Sequence, residues 1–407
     1  MAGREILLGI DVGTTQVAAV VGARDAEAAL LGAASVPCRG LRRGIVVDLT
    51  DTTNAIREAV SRAQRMAGAE LGSAWVGLTG QHMTSVNSHA EIRLARANRE
   101  VGWGDVERAM AAAVSAVSVP PDRRMIHAIS RGFALDDEPR VRNPVGLIAS
   151  RLAVDAHIVT IPRNAVDNVA KAVEQAGVGI TELVAEPLAA ADAVLTEDEE
   201  ELGVLMVDVG GGTSDLALFL EGSIAFTGAV PVAGNYITHD IAVALGITHP
   251  QAEELKLTHG SARTSLVADE ETAPIAGGDT TVSRRFLAEV IEARVQEMFR
   301  LVAQKLTGIG GVWPPPGGVV VTGGGSLLDG LASVAEEVMG CRVRLGRPRV
   351  ASGPVELLES PAFATGVGLV YYAHREAEAR RADRRREIRV LPVLGRVVAW
   401  VKDLFSS

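Results

Sequence analysis

The chain has 407 residues, 47% of them hydrophobic but only 3% aromatic, and a formal net charge of -10. That length and apolar content exclude a disordered chain or one small core, and imply two large lobes packed from small aliphatic side chains. Negative charge and scarce aromatic rings exclude nucleic acid as the main partner. Cys38 and Cys341, far apart and outside any Cys-x-x-Cys spacing, exclude a disulfide framework or a thiolate metal site and fit a reducing cytosol. The apolar stretch after Glu5 meets Asp11 too soon for a signal peptide, and no uncharged run approaches the roughly 20 residues of a spanning helix. The body is therefore expected in the cytoplasm.

In chain order, Ile6 to Ile10 and Gln16 to Val21 read as two β-rich runs joined by a Gly/Thr turn, a tight hairpin. Helical periodicity follows at Thr52 to Ala67. The segment from about Ser85 to Ile161 looks self-contained, with strand-like runs at Met125 to Ala134 and Ser150 to Ile161 and an Ala-rich helix near Asp105 to Val117. We read it as an inserted subdomain. A second helical pattern covers Asn164 to Gln175, and Val204 to Val209 with Ser214 to Leu220 repeats the opening hairpin about half a chain later. That distance excludes a solenoid repeat and leaves duplication of a larger unit. Beyond Gly234 come a helical region, a polar stretch from Ala262 to Thr281, a long amphipathic helix from Ser283 to Leu306, and a turn forced by Trp313-Pro-Pro-Pro-Gly-Gly. From Arg375 to Arg389 seven arginines stand against four acidic residues, a composition that reads as a linker before an appendage.

Phosphate groups need closely spaced backbone N–H donors, and only small residues let a backbone approach them. Gly13-Thr14-Thr15 and Gly210-Gly211-Gly212-Thr213 supply such turns, each after an aspartate, Asp11 or Asp208, at a strand end. A carboxylate there can hold Mg²⁺ through its hydration waters. One Asp-Val-Gly alone fits an ordinary β-turn; two in matching contexts point to a phosphate clasp. A third cluster, Gly323-Gly324-Gly325, ends the run Val319-Val-Val-Thr and could pass under an adenine ring. Neither the dinucleotide fingerprint Gly-x-Gly-x-x-Gly nor a P-loop fits.

These motifs, in this order, resemble the actin, heat-shock-chaperone and sugar-kinase superfamily, and within it the FtsA family of bacterial cell-division proteins. The first and second phosphate motifs match Ile10-Asp-Val-Gly-Thr-Thr and Val207-Asp-Val-Gly-Gly-Gly-Thr-Ser-Asp215, and the adenosine motif matches Val320-Val-Thr-Gly-Gly-Gly-Ser326. Ala185-Glu-Pro-Leu-Ala189 and Ala364-Thr-Gly-Val-Gly368 look like the hinge helices, and Asn143-Pro-Val-Gly-Leu-Ile148 resembles the family's inserted SHS2 subdomain.

The resemblance implies an α/β, actin-like fold of two RNase H-like lobes. The first lobe takes residues 1–84, 162–200 and 358–376, with the insertion at 85–161; the second takes 201–232 and 307–357, with a smaller subdomain at 233–306. A charged linker at 377–394 and an amphipathic helix at 395–407 follow. It also implies ATP with Mg²⁺ as ligand, Glu186 and Asp208 orienting or polarising the attacking water, Asp11 placing the metal, and Glu253 and Lys256 facing ribose and adenine, with Gly234 and Asn235 among the nucleotide-binding residues. The Glu-x-x-Lys spacing puts both side chains on one helix face, which a solvated ion pair would share; Glu186 before Pro187 also fits a helix start. Where the family commonly carries a lysine after the first turn this chain has Gln16, which supplies no charge, so tight binding with slow turnover is expected. Arg284 and Arg294, on the long helix, are the expected docking residues for the C-terminal tail of the tubulin-like protein FtsZ; both would also serve as solvated residues.

In Val397-Val-Ala-Trp-Val-Lys-Asp-Leu-Phe405, residues Val397, Trp400, Val401 and Leu404 make one helical face, and Trp400 and Phe405 suit a lipid interface. The same face could dock on the protein's own body. Its place after a charged linker and the family resemblance favour a weak anchor on anionic lipids at the cytoplasmic face of the membrane, strengthened by self-assembly into filaments. The resemblance further implies a tether for FtsZ polymers at the septum that recruits later division proteins. The alternatives are an actin-fold scaffold of type IV pilus assembly and a small-molecule kinase, for which no acceptor base is apparent.

Overall fold

The computed structural model describes residues 5–23, 29–277, 280–311, 313–350 and 352–387, with side chains of the last helix as far as Ala377. Strands β1 (Ile6–Val12), β2 (Gln16–Ala23) and β3 (Leu30–Pro37), helix α1 (Leu49–Ala67) and β4 (Ser73–Leu78) open a first lobe. An insertion follows: β5 (Thr84–Arg93), α2 (Trp103–Ser115), β6 (Arg123–Leu135), β7 (Glu138–Val141) and β8 (Arg151–Pro162). The first lobe resumes with α3 (Arg163–Gln175), β9 (Gly179–Ala185) and α4 (Glu186–Val194). The second lobe contains β10 (Val204–Val209), β11 (Ser214–Leu220), β12 (Ser223–Val230), α5 (Gly234–Leu245), α6 (His249–His259), α7 (Arg284–Leu306), β13 (Val319–Thr322), α8 (Leu331–Met339) and β14 (Val343–Leu345). Helix α9 (Ala364–Glu387) then returns to pack on α4 and β1.

The two lobes share one topology. Their sheets run β9-β4-β1-β2-β3 and β12-β11-β10-β13-β14. In each, the strand that bears the Asp-Val-Gly turn is antiparallel to the next strand and parallel to a later one, β1 to β4 and β10 to β13. These central strands are covered on both faces, so they read as continuous apolar runs rather than alternating ones. The expected duplication is thus a duplicated five-stranded α/β unit.

Local chemistry fixes the helices. The Asp48 carboxylate accepts the Asp51 amide at 2.9 Å to start α1, and Gly68 in the left-handed region (φ 64°) ends it. Between them Ala55, Ile56, Ala59, Val60 and Ala63 present one buried face to the sheet. In α7, capped by Ser283, the buried stripe is Leu287, Ile291, Val295, Met298, Phe299, Val302 and Leu306. The insertion has its own core around Met110, Phe133, Leu152 and Val154, with sheet order β7-β6-β8-β5.

One difference from the sequence reading concerns the charged segment after 376. Helix α9 continues to Glu387, through eleven residues expected to be linker. The segment has no Gly or Pro, and its Ala, Arg and Glu residues are strong helix formers, so nothing stops the helix there. Residues 388–407, with the expected membrane face of Val397, Trp400, Val401, Leu404 and Phe405, lie outside the described residues. Among the described residues no helix is long and apolar enough to cross a membrane.

Small residues let α4 and α9 meet at backbone distance beneath the interlobe cleft. A Cβ added to Gly368 would lie 1.8 Å from the Ala189 carbonyl oxygen. Gly368→Val is therefore expected to lose about 2–3 kcal/mol in urea unfolding, whereas Gly72→Ala, with nothing within 4 Å of its added Cβ, should stay within about 0.5 kcal/mol. Equal effects at the two sites would contradict this close crossing.

Candidate functional site

The turns between β1 and β2 and between β10 and β11 face each other at the bottom of the cleft between the lobes. Their glycines are needed for the approach: a Cβ on Gly211 would lie 2.2 Å from Thr15 Cγ2, and one on Gly212 2.5 Å from Thr14 Oγ1. Gly210 closes its own turn by donating to the Thr213 carbonyl at 3.0 Å. The N-terminus of α5 is tied to this turn, Gly234 N–H donating to Gly210 O at 3.1 Å and Asn235 N–H to Gly211 O at 2.8 Å. In the third glycine cluster, Gly323 has φ 82° and would bring a Cβ to 2.1 Å from Asp208 Oδ1, and Gly325 packs on Val209. Gly324 has only Ala362 Cβ nearby, at 3.8 Å, and faces the open space.

These turns border a cavity of about 700 Å³, which also takes in Asp11, Gly13, Gln16, Thr213, Glu186, Asp208, Glu253, Lys256 and Arg284. Every residue assigned from sequence to catalysis or nucleotide binding lines this one space. Glu253 and Lys256 do not form a solvated surface pair. The buried Lys256 ammonium donates to Glu253 Oε2 at 2.8 Å, Thr238 Oγ1 at 2.9 Å and Gly234 O at 3.3 Å, which directs it at the α5 end of the clasp. Gln16 is also engaged: its Oε1 accepts Ser35 Oγ at 2.7 Å and its Nε2 donates to Ala362 O at 3.4 Å.

The chemistry concentrates in four carboxyl groups, Asp11, Glu186, Asp208 and Asp215. Burial pushes Asp11 up to about 8, with the charges of Asp208 and Asp215 adding to it. Burial first, and then Asp11, Asp215 and Asp208, raise Glu186 well above the usual carboxylate range. Asp208 rises to about 6 and Asp215 to about 7, again mainly through burial, although each accepts a threonine hydroxyl that lowers it: Thr365 Oγ1 at 2.9 Å and Thr79 Oγ1 at 2.5 Å. Glu186 Oε1 and Asp215 Oδ1 find no hydrogen-bond partner within the protein. A buried acceptor left unpaired is costly unless a ligand, water or proton completes it. Among the described residues no three Asp, Glu, His or Cys side chains are placed to ligate a metal directly.

Asp215, Thr79 and Thr365 were not singled out from sequence as site residues. Asp215 carried a signal, since it closes the second phosphate motif and stands directly across the hairpin from Asp208. Thr365 lies within the second hinge motif, Ala364-Thr-Gly-Val-Gly368, but nothing in the sequence ties it or Thr79 to carboxyl groups 157 and 136 residues away.

Of the two arginines assigned to a partner, Arg284 lines the cavity, pairs with Glu271 and donates to His259 O at 3.2 Å. Arg294 lies outside the cavity. It pairs with Asp240 through two bonds, of 2.5 and 3.0 Å, and with Glu297, and its guanidinium stands 5.7 Å over the Tyr236 ring.

Comparison with known proteins gives a consistent result. The family model "Cell division protein FtsA" matches residues 205–368, and "SHS2 domain inserted in FTSA" matches residues 80–160. The chain is 38% identical to Cell division protein FtsA of Pseudomonas aeruginosa, over 98% of both chains. It is 35% identical to that of Escherichia coli K12, over 99% of this chain and 97% of the other. For Bacillus subtilis the identity is 32%, over 93% of this chain and 85% of the other. Among solved structures it shares the fold of a PilM-PilN type IV pilus biogenesis complex, at TM-score 0.64 and 18% identity over 90% of this chain and 98% of that one. It also shares the fold of MreB5 of Spiroplasma citri bound to ADP, at TM-score 0.52 and 17% identity over 92% and 98% of the two chains.

The raised carboxyl groups predict a pH dependence. A folded state that holds protons more tightly than the unfolded chain loses stability as pH rises from the ordinary carboxylate range through the folded values. With nucleotide and divalent ions removed, stability should fall between about pH 4 and pH 8. Asp215→Asn, which keeps an acceptor for Thr79, is expected to raise Tm by several degrees at pH 8 and little at pH 5. An equal gain at both values would contradict the electrostatic origin.

Proposed function

The chain belongs to the FtsA family of cell-division proteins, and on that premise we propose that it is an ATP-binding, actin-like protein that tethers FtsZ polymers to the cytoplasmic face of the cell membrane. The observation that carries the ligand assignment is the meeting of two glycine turns over buried carboxyl groups that the protein itself leaves incompletely paired. Backbone donors of the two turns would hold the phosphates, and Asp11 and Asp208 would hold Mg²⁺ through its hydration waters. Bound Mg²⁺ supplies the positive charge that offsets phosphate and carboxylate repulsion. Glu253 and Lys256 would face the ribose and adenine, beside Gly323 to Gly325. Glu186 and Asp208 are the groups suited to orient a water molecule; Asp208 is fixed by Thr365 and Glu186 has a free oxygen.

Turnover is expected to be slow. Gln16 stands where the family commonly has lysine, and its amide is already engaged by Ser35 and Ala362. The clasp then serves as a switch: a ligand that binds the closed lobes better than the open ones shifts the population toward closure. Closure would govern self-assembly into filaments and recruitment of later division proteins.

An FtsZ tail that docked at Arg284 and Arg294 through a carboxylate would have to displace Glu271 from the first, and Asp240 and Glu297 from the second. That exchange gives specificity for a carboxylate-bearing peptide more than raw affinity. At the other end, the apolar face of Val397, Trp400, Val401, Leu404 and Phe405, beside the arginine-rich segment, is the proposed anchor on anionic lipids. It is short, so assembly supplies the avidity.

Co-sedimentation with anionic liposomes and ATP tests this reading, using the full chain and one ending at Arg389. The full chain should pellet with the liposomes and bring FtsZ polymers with it, and the truncated chain should remain in the supernatant. Equal lipid binding by both rules out the anchor; lipid binding without FtsZ recruitment rules out the tether.

A further inference from the structure

The insertion is joined covalently to the first lobe, yet its sheet is hydrogen-bonded to the edge strand of the second. His157, in the middle of β8, is fully buried, and both ring nitrogens are bonded: Nδ1 to Asn87 Oδ1 at 2.7 Å and Nε2 to Thr227 Oγ1 at 2.9 Å. Burial, helped by the charge of Arg131, pulls its pKa down to about 3, so the ring is neutral and one nitrogen donates while the other accepts. Asn87 needs its oxygen for the ring, because its Nδ2 donates to Ala225 O at 2.8 Å. The chain of bonds therefore runs one way, from the Thr227 hydroxyl to His157 Nε2, from His157 Nδ1–H to Asn87, and from Asn87 to the β12 backbone. Beside it, Thr227 N–H donates to Ser85 Oγ at 3.0 Å, and Ser223 Oγ donates to Arg131 O at 2.6 Å. Exposed ion pairs at the rim, Arg140 with Glu221 and Arg142 with Glu201, contribute little beside these buried bonds.

The same strand leads to the cleft. In the β11–β12 pairing Thr227 lies opposite Ala217 and Ala229 opposite Asp215, one of the four cleft carboxyl groups. The segment that enters the insertion after β4 carries Thr79, whose hydroxyl bonds that same Asp215. The β11–β12 hairpin is thus held at two points, in the cleft by Thr79 of the first-lobe segment that leads into the insertion, and along β12 by the insertion itself.

We propose that this pair of contacts couples the insertion to the cleft, so that rotation of the second lobe on ligand binding repositions β5 and β8 through the Thr227–His157–Asn87 chain. His157 is here a positioning residue, and its neutral ring gives the connection a fixed direction and length. A partner protein bound to the outer face of the insertion would, by the same linkage, alter affinity in the cleft.

The coupling rests on the nucleotide reading above, and hydrogen–deuterium exchange on the full chain, with and without ATP and Mg²⁺, tests the two separately. In the wild-type protein ATP should change exchange at residues 210–213, and also at 84–93 and 223–230. Thr227→Val, which keeps the shape and removes the hydroxyl, should retain the response at 210–213 and lose it at 84–93. Ser85→Ala leaves His157 paired and should reduce the response at 84–93 partway, which keeps the test available if Thr227→Val does not fold. A wild-type response confined to the cleft, or a response at 84–93 unchanged in both variants, overturns the coupling alone. No response at 210–213 in the wild type overturns the nucleotide reading, and the coupling falls with it.

Discussion

Removing a carboxyl group from water is unfavourable, and bringing several together compounds the cost because each charge disfavours its neighbours. Asp11, Glu186, Asp208 and Asp215 share one buried space, and the elements around them are arranged to put them there. Comparison of the two hairpins makes the point. In the first, Asp11 faces Ala18 across the strands; in the second, Asp208 faces another carboxyl group, Asp215. A fold that needed only stability could have kept alanine in both. The second aspartate, the unpaired oxygen of Glu186 and the glycine-lined approach of the two turns make sense together when a cation and an anion occupy the cleft.

The scaffold holds these groups with backbone contacts rather than bulk. Two copies of one five-stranded sheet present their hairpin turns to each other, and small residues let α4 and α9 cross close enough to carry Glu186 and Thr365 to the same place. Cross-lobe bonds then fix the angle: Thr365 to Asp208, Thr79 to Asp215, and Arg43 of the first lobe to the hydroxyl of Tyr236 beside the phosphate turn. Helix α9 begins at the cleft, where Thr365 meets Asp208, and continues to Glu387.

Much of this was legible in the sequence because it depends on local chemistry. Asp-Val-Gly after an apolar run marks a strand ending in a tight turn, and its recurrence half a chain later marks the duplication. The insertion's limits, read at Ser85 and Ile161, fall one residue inside the observed strands Thr84–Arg93 and Arg151–Pro162. What escaped depends on contacts between distant segments. Thr79 and Thr365 gain their place on Asp215 and Asp208 only through the fold, as does the engagement of Gln16 by Ser35 and Ala362. Arg294 read as either a docking or a solvated residue, and its pairing with Asp240 and Glu297 beside the Tyr236 ring appears only in the fold. The arginine-rich segment read as linker from its charge, although its helix propensity argued the other way.

The central claim is that the approach of the two glycine turns forms a nucleotide site, and calorimetric titration with ATP and Mg²⁺ tests it most directly. The wild-type chain should bind one ATP. Gly211→Val, whose side chain would fill the space now occupied by Thr15, should bind at least about tenfold more weakly while retaining native circular dichroism. Equal affinity in the two proteins, or no binding by the wild type, would contradict the account.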